Sequence, residues 1–218
     1  MVPAEKEKTL RKLVEIFLEE NKKLNLSAYR TEENCWIGNV LDSLAFLDMN
    51  FSHHDIRCLS ILDIGIGGGF PLLPLAISLP NVQFTGIDST RKKIDAVQRI
   101  VHAMNLNNVT LKWQRAEEHK THYDIVLARA VAPLKKLLPL AAPLAKPDGH
   151  LVFWKSMHID NELKESEPIQ RKLGCVLIDK HVYELPEDGA CPPELCEAER
   201  RWGKRQLLIF TVAAPAES

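Results

Sequence analysis

Leu62-Asp63-Ile64-Gly65-Ile66-Gly67-Gly68-Gly69-Phe70 runs out of a short apolar strand, Ser60 to Ile64, into a cluster of glycines. Glycines at a strand-to-helix turn bring backbone close to a ligand, because no Cβ intervenes. Phe70 to Ser78 then reads as a helix, with Pro71 tolerated in its first turn. Val82 to Ile87 reads as a second strand, closed by Asp88. In a doubly wound sheet, cofactors sit beyond the carboxyl ends of such strands, and a carboxylate at position 88 can accept both hydroxyls of a ribose. Taken singly, the glycines fit an ordinary tight turn and Asp88 fits a cap on the helix starting near Thr90. Together, at the ends of two successive strands, they favour a nucleoside ligand.

Outward from this loop, apolar strands keep alternating with amphipathic helices. Arg91 to Met104 is a helix with Ile94, Val97, Val101 and Met104 on its inner side. Val109 to Trp113, Asp124 to Ala128 and His150 to Trp154 read as strands. Leu134 to Leu144 is helical despite Pro139, and residues 160–173 form a polar helix. Cys175 to Tyr183 and Gln206 to Val212 are the last strands, joined by a Pro-rich loop from Pro186 to Gly203 and able to form a hairpin at the sheet edge. The expected fold over residues 58–218 is α/β, a doubly wound, mostly parallel seven-stranded sheet. Residues 1–57 read as an N-terminal helical extension. Leu10, Leu13, Val14, Phe17 and Leu18 share one face of a helix over residues 4–20, and a second helix covers residues 32–47. Residues 51–58 connect the extension to the sheet, and the tail from Ala213 to Ser218 is expected to fray.

Composition bounds the function. The chain has 218 residues, 45% hydrophobic and 26% charged, with 28 Lys plus Arg against 29 Asp plus Glu. A formal charge of −1 does not advertise a nucleic-acid binder, although a local basic patch can suffice. Candidate basic runs are Lys6, Lys8, Arg11 and Lys12; Lys22 and Lys23; Arg91-Lys92-Lys93; and Arg200, Arg201, Lys204 and Arg205. Any one of these reads most simply as a solvated face. Several around one pocket mouth make a phosphate-binding rim. Trp36 and Trp202 are candidate stacking residues, with core packing the better reading of Trp36. The five cysteines form no C-x-x-C pair, so reduced thiols are expected and no metal site. No apolar run is long enough to span a bilayer, and the charged N-terminus lacks a signal-peptide core. A cytoplasmic monomer is the expectation.

The loop also discriminates between cofactors. A dinucleotide fingerprint places Gly or Ala where this chain has Phe70, which crowds a pyrophosphate, and a Walker loop needs a Lys-Ser/Thr ending that is absent. Asp63, two residues before the first glycine, suits a cationic amino-acid ligand. S-adenosylmethionine carries an ammonium and a sulfonium and no phosphate, so it fits better than NAD.

The stretch Asp63-Ile64-Gly65-Ile66-Gly67-Gly68-Gly69-Phe70-Pro71-Leu72-Leu73-Pro74 resembles the cofactor loop of the bacterial small-subunit rRNA guanine-N7 methyltransferases, the glucose-inhibited division protein B family. The resemblance continues through Asn21-Lys22-Lys23-Leu24-Asn25-Leu26-Ser27, Leu41-Asp42-Ser43-Leu44, Asp88-Ser89 with Lys92-Lys93, Ala116-Glu117-Glu118, Ala128-Arg129-Ala130 and Trp154-Lys155. It implies a class I S-adenosylmethionine-dependent methyltransferase acting on 16S rRNA or on the small ribosomal subunit. It further implies cofactor contacts at Gly65, Phe70, Ala116, Glu117 and Arg129. The local argument adds Asp63, Gly67 and Asp88. Arg129 and Lys155 are the residues expected beside the target base. Arg129, like Glu117, also has a plainer reading: it can simply pair with a carboxylate. Position 68 holds a third glycine to which no role is given. One departure stands out: Gly38-Asn39 occupies the place where the family has Arg-His. It keeps open a non-catalytic ribosome-assembly or RNA-binding module on the same fold, while the near-neutral charge leaves room for a methyltransferase acting on a small molecule or protein.

Overall fold

The computed structural model describes residues 4–49, 59–186 and 203–213. The long α1, Ala4–Leu24, carries Glu5 and Glu7 in its first turn and Lys22 and Lys23 in its last, each sign matching the helix dipole. Its apolar face, Leu10, Leu13, Val14 and Phe17, is buried.

The helix expected over residues 32–47 is helical but not uniform. It begins as α2, Glu32–Cys35, with the Thr31 side chain accepting from the Asn34 N–H. It widens to a π-helix over Trp36–Leu41, returns as α3, Asp42–Leu44, and tightens to a 3₁₀ turn over Ala45–Asp48. A π segment rotates the side chains that follow it and frees carbonyls from the usual ladder, and such segments often mark functional sites.

The sheet follows in chain order: β1 Ser60–Ile64, α4 Leu72–Ser78, β2 Gln83–Asp88, α5 Arg91–Ala103, β3 Val109–Trp113, β4 Tyr123–Arg129, α6 Leu134–Ala141, β5 Ala145–Lys155, α7 Asp160–Leu173, β6 Cys175–Glu184 and β7 Lys204–Val212. The strand order is β3-β2-β1-β4-β5-β7-β6. The first five strands pair in parallel, while β7 is antiparallel to both β5 and β6. The expected α/β sheet of seven strands is therefore present, and the late hairpin adds to its β5 edge through β7.

Several element boundaries differ from the sequence reading: α1 runs on to Leu24, α6 ends at Ala141 and β7 begins at Lys204, and two further differences have a local cause. The fifth strand begins at Ala145 rather than His150, because a bulge carries Lys146-Pro147-Asp148-Gly149 past a register shift between Tyr123 and Ile125. Asp148, with φ +59°, takes the left-handed corner of that bulge. The helix expected from Phe70 starts at Leu72, with Pro71 as its cap. The Pro186–Gly203 loop, the connection at 51–58 and the tail beyond Ala213 lie largely outside the described residues.

Two cores flank the sheet. On one face, α1, α4 and α5 pack through Phe17, Leu72, Val97 and Ile100 against Ile61, Phe84 and Ile125. On the other, α6 covers the sheet through Leu134, Leu137 and Leu138 against Leu62, Val126 and Phe153, with α7 beside it. The helical extension thus shares the first core.

Candidate active site

Strand order reverses between β1 and β4, because β1 leads to β2 on one side and β4 continues the sheet on the other. Open α/β sheets bind ligands at such a switch, beyond the carboxyl ends of the strands. A crevice of about 350 Å³ lies there, lined among others by Gly65, Asp88, Ala116, Glu117, Ala130 and Val131. Hollows of about 430 and 520 Å³ exist elsewhere, so position rather than size selects this one.

Backbone geometry builds the inner wall. Gly65 and Gly67 have φ of +69° and +54°, and a Cβ on Gly65 would meet Val131 Cγ2 at 3.0 Å. Both positions therefore favour glycine on conformation, and Gly65 on space as well. The Gly67 N–H donates to Asp88 Oδ2 at 3.1 Å, and the Thr90 N–H donates to Oδ1 at 2.8 Å. Asp88 thus holds the turn that leads into the helix, whose N-cap is Thr90, and lines the crevice at once. Each oxygen keeps a lone pair for a further donor.

Asp63 lies behind this wall. It is 1% exposed, and among the described residues its Oδ2 has no hydrogen-bond partner. Burial pushes its carboxyl up to about 8. The Leu72 N–H and the charge of Arg129 pull the other way, and the charge of Asp88 adds to the rise. An orphaned, fully buried carboxyl is costly unless a donor or cation arrives.

The outer wall is a 3₁₀ turn, Ala116–Glu118, held from beneath. His119 bridges Gln114 Oε1 at 2.9 Å and the Tyr123 hydroxyl at 3.0 Å, and Gln114 Nε2 donates to Glu118 O. Burial, with Lys112 nearby, lowers the His119 pKa and favours the neutral ring.

Of the expected residues, Gly65, Asp88, Ala116 and Glu117 line the crevice; Asp63 and Gly67 lie just behind it, and Phe70, Arg129 and Lys155 stand apart from the lining. Phe70 is buried, its ring edge-to-face with Phe17 of α1 at 4.9 Å between centroids. Arg129, at the end of β4, turns toward the extension. Its Nε lies 3.2 Å from Asp42 Oδ2, and its NH2 donates to Gly38 O at 2.6 Å and to Asn39 Oδ1 at 3.0 Å. Lys155, 13% exposed, donates to Glu162 Oε1 at 2.6 Å and to Ala132 O at 3.0 Å. Glu162 also accepts the Leu134 N–H at the start of α6. Lys155 and Glu162 therefore fix the turn that brings Ala130, φ +54°, and Val131 to the crevice.

The lining also includes Ser89, Thr90, Lys93, Gln114, Arg115 and Leu140, none of which the sequence reading names as a cofactor contact. The signal was adjacency: all but Leu140 lie within five residues of the carboxyl end of a strand. Of the basic runs, the N-terminal one is partly consumed internally. Lys6 donates to Ser78 O, and Arg11 lies 3.8 Å over the ring of the buried Trp36. The run at 91–93 flanks the crevice. Trp202, Arg200 and Arg201 lie outside the described residues, as do Cys58, Cys191 and Cys196. Cys35 and Cys175 are free and buried. Among the described residues no helix is long and apolar enough to cross a membrane.

A parallel sheet extended by an antiparallel β7, with a nucleoside-sized crevice at its switch point, is the class I methyltransferase fold. Solved structures share it at low sequence identity. TYW2 of M. jannaschii in complex with AdoMet aligns with a TM-score of 0.57 at 18% identity, over 80% of this chain and 76% of that one. TYW2 of P. horikoshii in complex with MeSAdo gives 0.59 at 12% identity, over 81% and 64%. Sequence comparison is more specific. The GidB family model, rRNA small subunit methyltransferase G, matches residues 6–182, and the chain belongs to that family. Ribosomal RNA small subunit methyltransferase G of Staphylococcus saprophyticus is 35% identical over 201 residues, covering 90% of this chain and 77% of the relative. The protein of that name from Carboxydothermus hydrogenoformans is 34% identical over 215 residues, covering 96% and 84%.

Proposed function

We propose that this chain methylates N7 of a guanine in small-subunit (16S) ribosomal RNA, with S-adenosylmethionine as donor. The observation that carries the reading is the pair of carboxylates at the switch point. Asp63 is buried with an unpartnered oxygen, and Asp88 is held by two backbone N–H groups at the crevice. They fit the two ends of this cofactor: Asp63 suits the ammonium and Asp88 the ribose hydroxyls. Gly65, Ala116 and Glu117 supply the close walls, and Gly67 holds Asp88 in place through its N–H. Phe70 supports the loop from beneath through its contact with Phe17. S-adenosylmethionine, when bound, supplies the methyl group from its sulfonium.

The chain's own part is alignment. Guanine N7 presents an in-plane lone pair and carries no proton in the neutral base, so no residue has to remove one. Holding the reacting groups in line can contribute up to about 7–11 kcal/mol. Arg129, at the end of β4, is the residue for the base edge, where a guanidinium donates to guanine O6; to do so it must exchange one of its contacts with Asp42, Gly38 and Asn39 for the base. Lys155 sets the turn beside it through Glu162. The same reading makes the protein a cytoplasmic monomer whose partner is the rRNA or the small subunit. Gly38-Asn39 alters the anchor of Arg129 but leaves the crevice walls intact.

Mass spectrometry of nucleosides from small-subunit rRNA, with and without this protein, tests the proposal. Loss of one 7-methylguanosine is expected. An unchanged profile from a protein that still binds S-adenosylmethionine would move the acceptor to another class of molecule.

A further inference from the structure

Trp113 ends β3 opposite Asp88 of β2, one strand out from the crevice. A tryptophan is usually well covered, yet this one is 59% exposed. Its exposure is ordered. The indole Nε1 donates to Ser89 O at 3.0 Å, which fixes the ring plane, and the Arg91 guanidinium lies 5.3 Å from the ring centroid. The ring is joined to the crevice on two sides, through Ser89 and through its chain neighbour Gln114, both of which line it. Trp113 itself does not line it. It is therefore an outer lip of the crevice, beyond the cofactor wall.

The charges around the lip are of both signs, with Asp88 and Glu117 in the crevice lining and Asp95 beside Arg91, and the cations lie toward its outer side. Lys93 and Arg115 line the crevice, and Arg91 and Lys92 are exposed beside it. Arg91 has only a loose contact with Asp95, at 4.0 Å between two exposed side chains. Such a pair is worth little and yields readily to a phosphate. A flat, oriented aromatic face beside exposed, weakly paired cations is what an unpaired nucleotide requires: the base stacks and the phosphate is neutralised. A chain with a formal charge of −1 can attract RNA only through a patch of this kind.

Resting on the rRNA reading above, we infer that Trp113, with Arg91, Lys92 and Arg115, forms a stacking site for an unpaired RNA nucleotide of the substrate that is not the immediate neighbour of the methylated guanine, since β3 lies three strands from β4. Recognition is through the base face and the adjoining phosphate, so the site tolerates any base and demands a single-stranded segment.

The test uses the full chain and three variants, Trp113→Ala, Trp113→Phe and Lys92→Ala. The probe is whichever of extracted small-subunit RNA and the assembled subunit the wild type methylates. RNA affinity and its salt dependence are measured by filter binding, and S-adenosylmethionine affinity by calorimetry. Trp113→Ala is expected to weaken RNA binding about five-fold to a hundred-fold, as loss of one stacked base does. Trp113→Phe should restore most of it, and cofactor affinity should be unchanged in both. Lys92→Ala should lower the salt slope by about one. The inference is overturned if Trp113→Ala binds RNA as the wild type does. It is equally overturned if cofactor and RNA affinity fall together, which makes Trp113 part of the cofactor wall. Wild-type protein that methylates neither RNA substrate removes the rRNA reading itself, and this inference with it. The exposed position of Trp113 keeps both variants folded, which a thermal melt verifies.

Discussion

Asp42 Oδ2 lies 3.2 Å from Arg129 Nε, with the two side chains 2% and 16% exposed, and this ion pair ties the helical extension to the end of the central strand. Asp42 is satisfied on every side. Its Oδ1 accepts the Tyr183 hydroxyl at 2.6 Å, and its carbonyl accepts the Trp154 indole N–H at 2.7 Å. Removing one member of a buried pair leaves the other uncompensated. Asp42→Ala is therefore expected to cost about 3–5 kcal/mol in urea unfolding. A loss below about 0.5 kcal/mol, the range of neutral surface changes, would show that the pair does not hold the two parts together.

Asn39 adds a second hold on the same guanidinium. Its Oδ1 accepts from Arg129 NH2 at 3.0 Å, where the resemblance leads one to expect histidine. Asn39→Ala removes this charge-assisted bond, at an expected cost of about 1.5–3 kcal/mol. If Arg129 meets the acceptor base, the variant should also lower kcat or raise KM for RNA while cofactor affinity stays put. A variant that loses stability but keeps both kinetic constants would limit Asn39 to scaffolding.

Asp63 makes binding pH-dependent. Its carboxyl is pushed from 3.8 up to about 8 by burial, so the folded protein binds a proton there that the unfolded chain has lost. The stabilising contribution of the neutral acid is full below pH 4. It declines as pH rises to about 8, at up to about 1.4 kcal/mol per unit. Asp63→Asn should abolish that slope and leave the cofactor-free protein more stable than the wild type at pH 9. A cationic ligand requires the ionised form, so S-adenosylmethionine binding at neutral pH should release a proton, seen by calorimetry in buffers of different ionisation enthalpy. The variant should bind more weakly and release none. Proton release that persists in Asp63→Asn would assign it to another group.

The sheet and the two carboxylates were legible because each rests on a local pattern. Alternating apolar runs mark the strands, and Asp63 and Asp88 sit at fixed offsets from strand ends. The anchor of Arg129 was not legible. Its partners Gly38, Asn39 and Asp42 are brought round by a π-helical turn that no periodicity announces, and they lie about ninety residues away in sequence. The sequence allows Arg129 a carboxylate partner but holds no local sign of which one. Trp113 was read only as the end of a strand, because a pattern of residue types does not reveal which aromatic side chain the fold leaves uncovered. The start of β5 at Ala145 was hidden by a bulge whose Pro-Asp-Gly reads as a turn.

Gly68 shows the same limit at the centre of the cofactor loop. No local pattern explains a glycine here, and its φ is not in the left-handed region that favours glycine. The reason is a neighbour fifty-one residues upstream. A Cβ at position 68 would stand 2.7 Å from Phe17 Cε2 and 3.3 Å from Leu26 Cβ, so α1 rests directly on the loop backbone. Gly68→Ala is expected to force the Phe17 ring out of its edge-to-face contact with Phe70, destabilising the protein by about 1–3 kcal/mol. The remedy should be specific. Phe17→Leu, costly alone, should cost less beside Gly68→Ala, with a coupling of about 0.5–3 kcal/mol in a double-mutant cycle read by urea unfolding. If the two losses simply add, the ring has room to shift, and the extension does not clamp the loop. If they couple, cofactor affinity should fall in Gly68→Ala and recover in the double variant, because the loop that carries Gly65 and Gly67 is set from behind by the first helix of the chain.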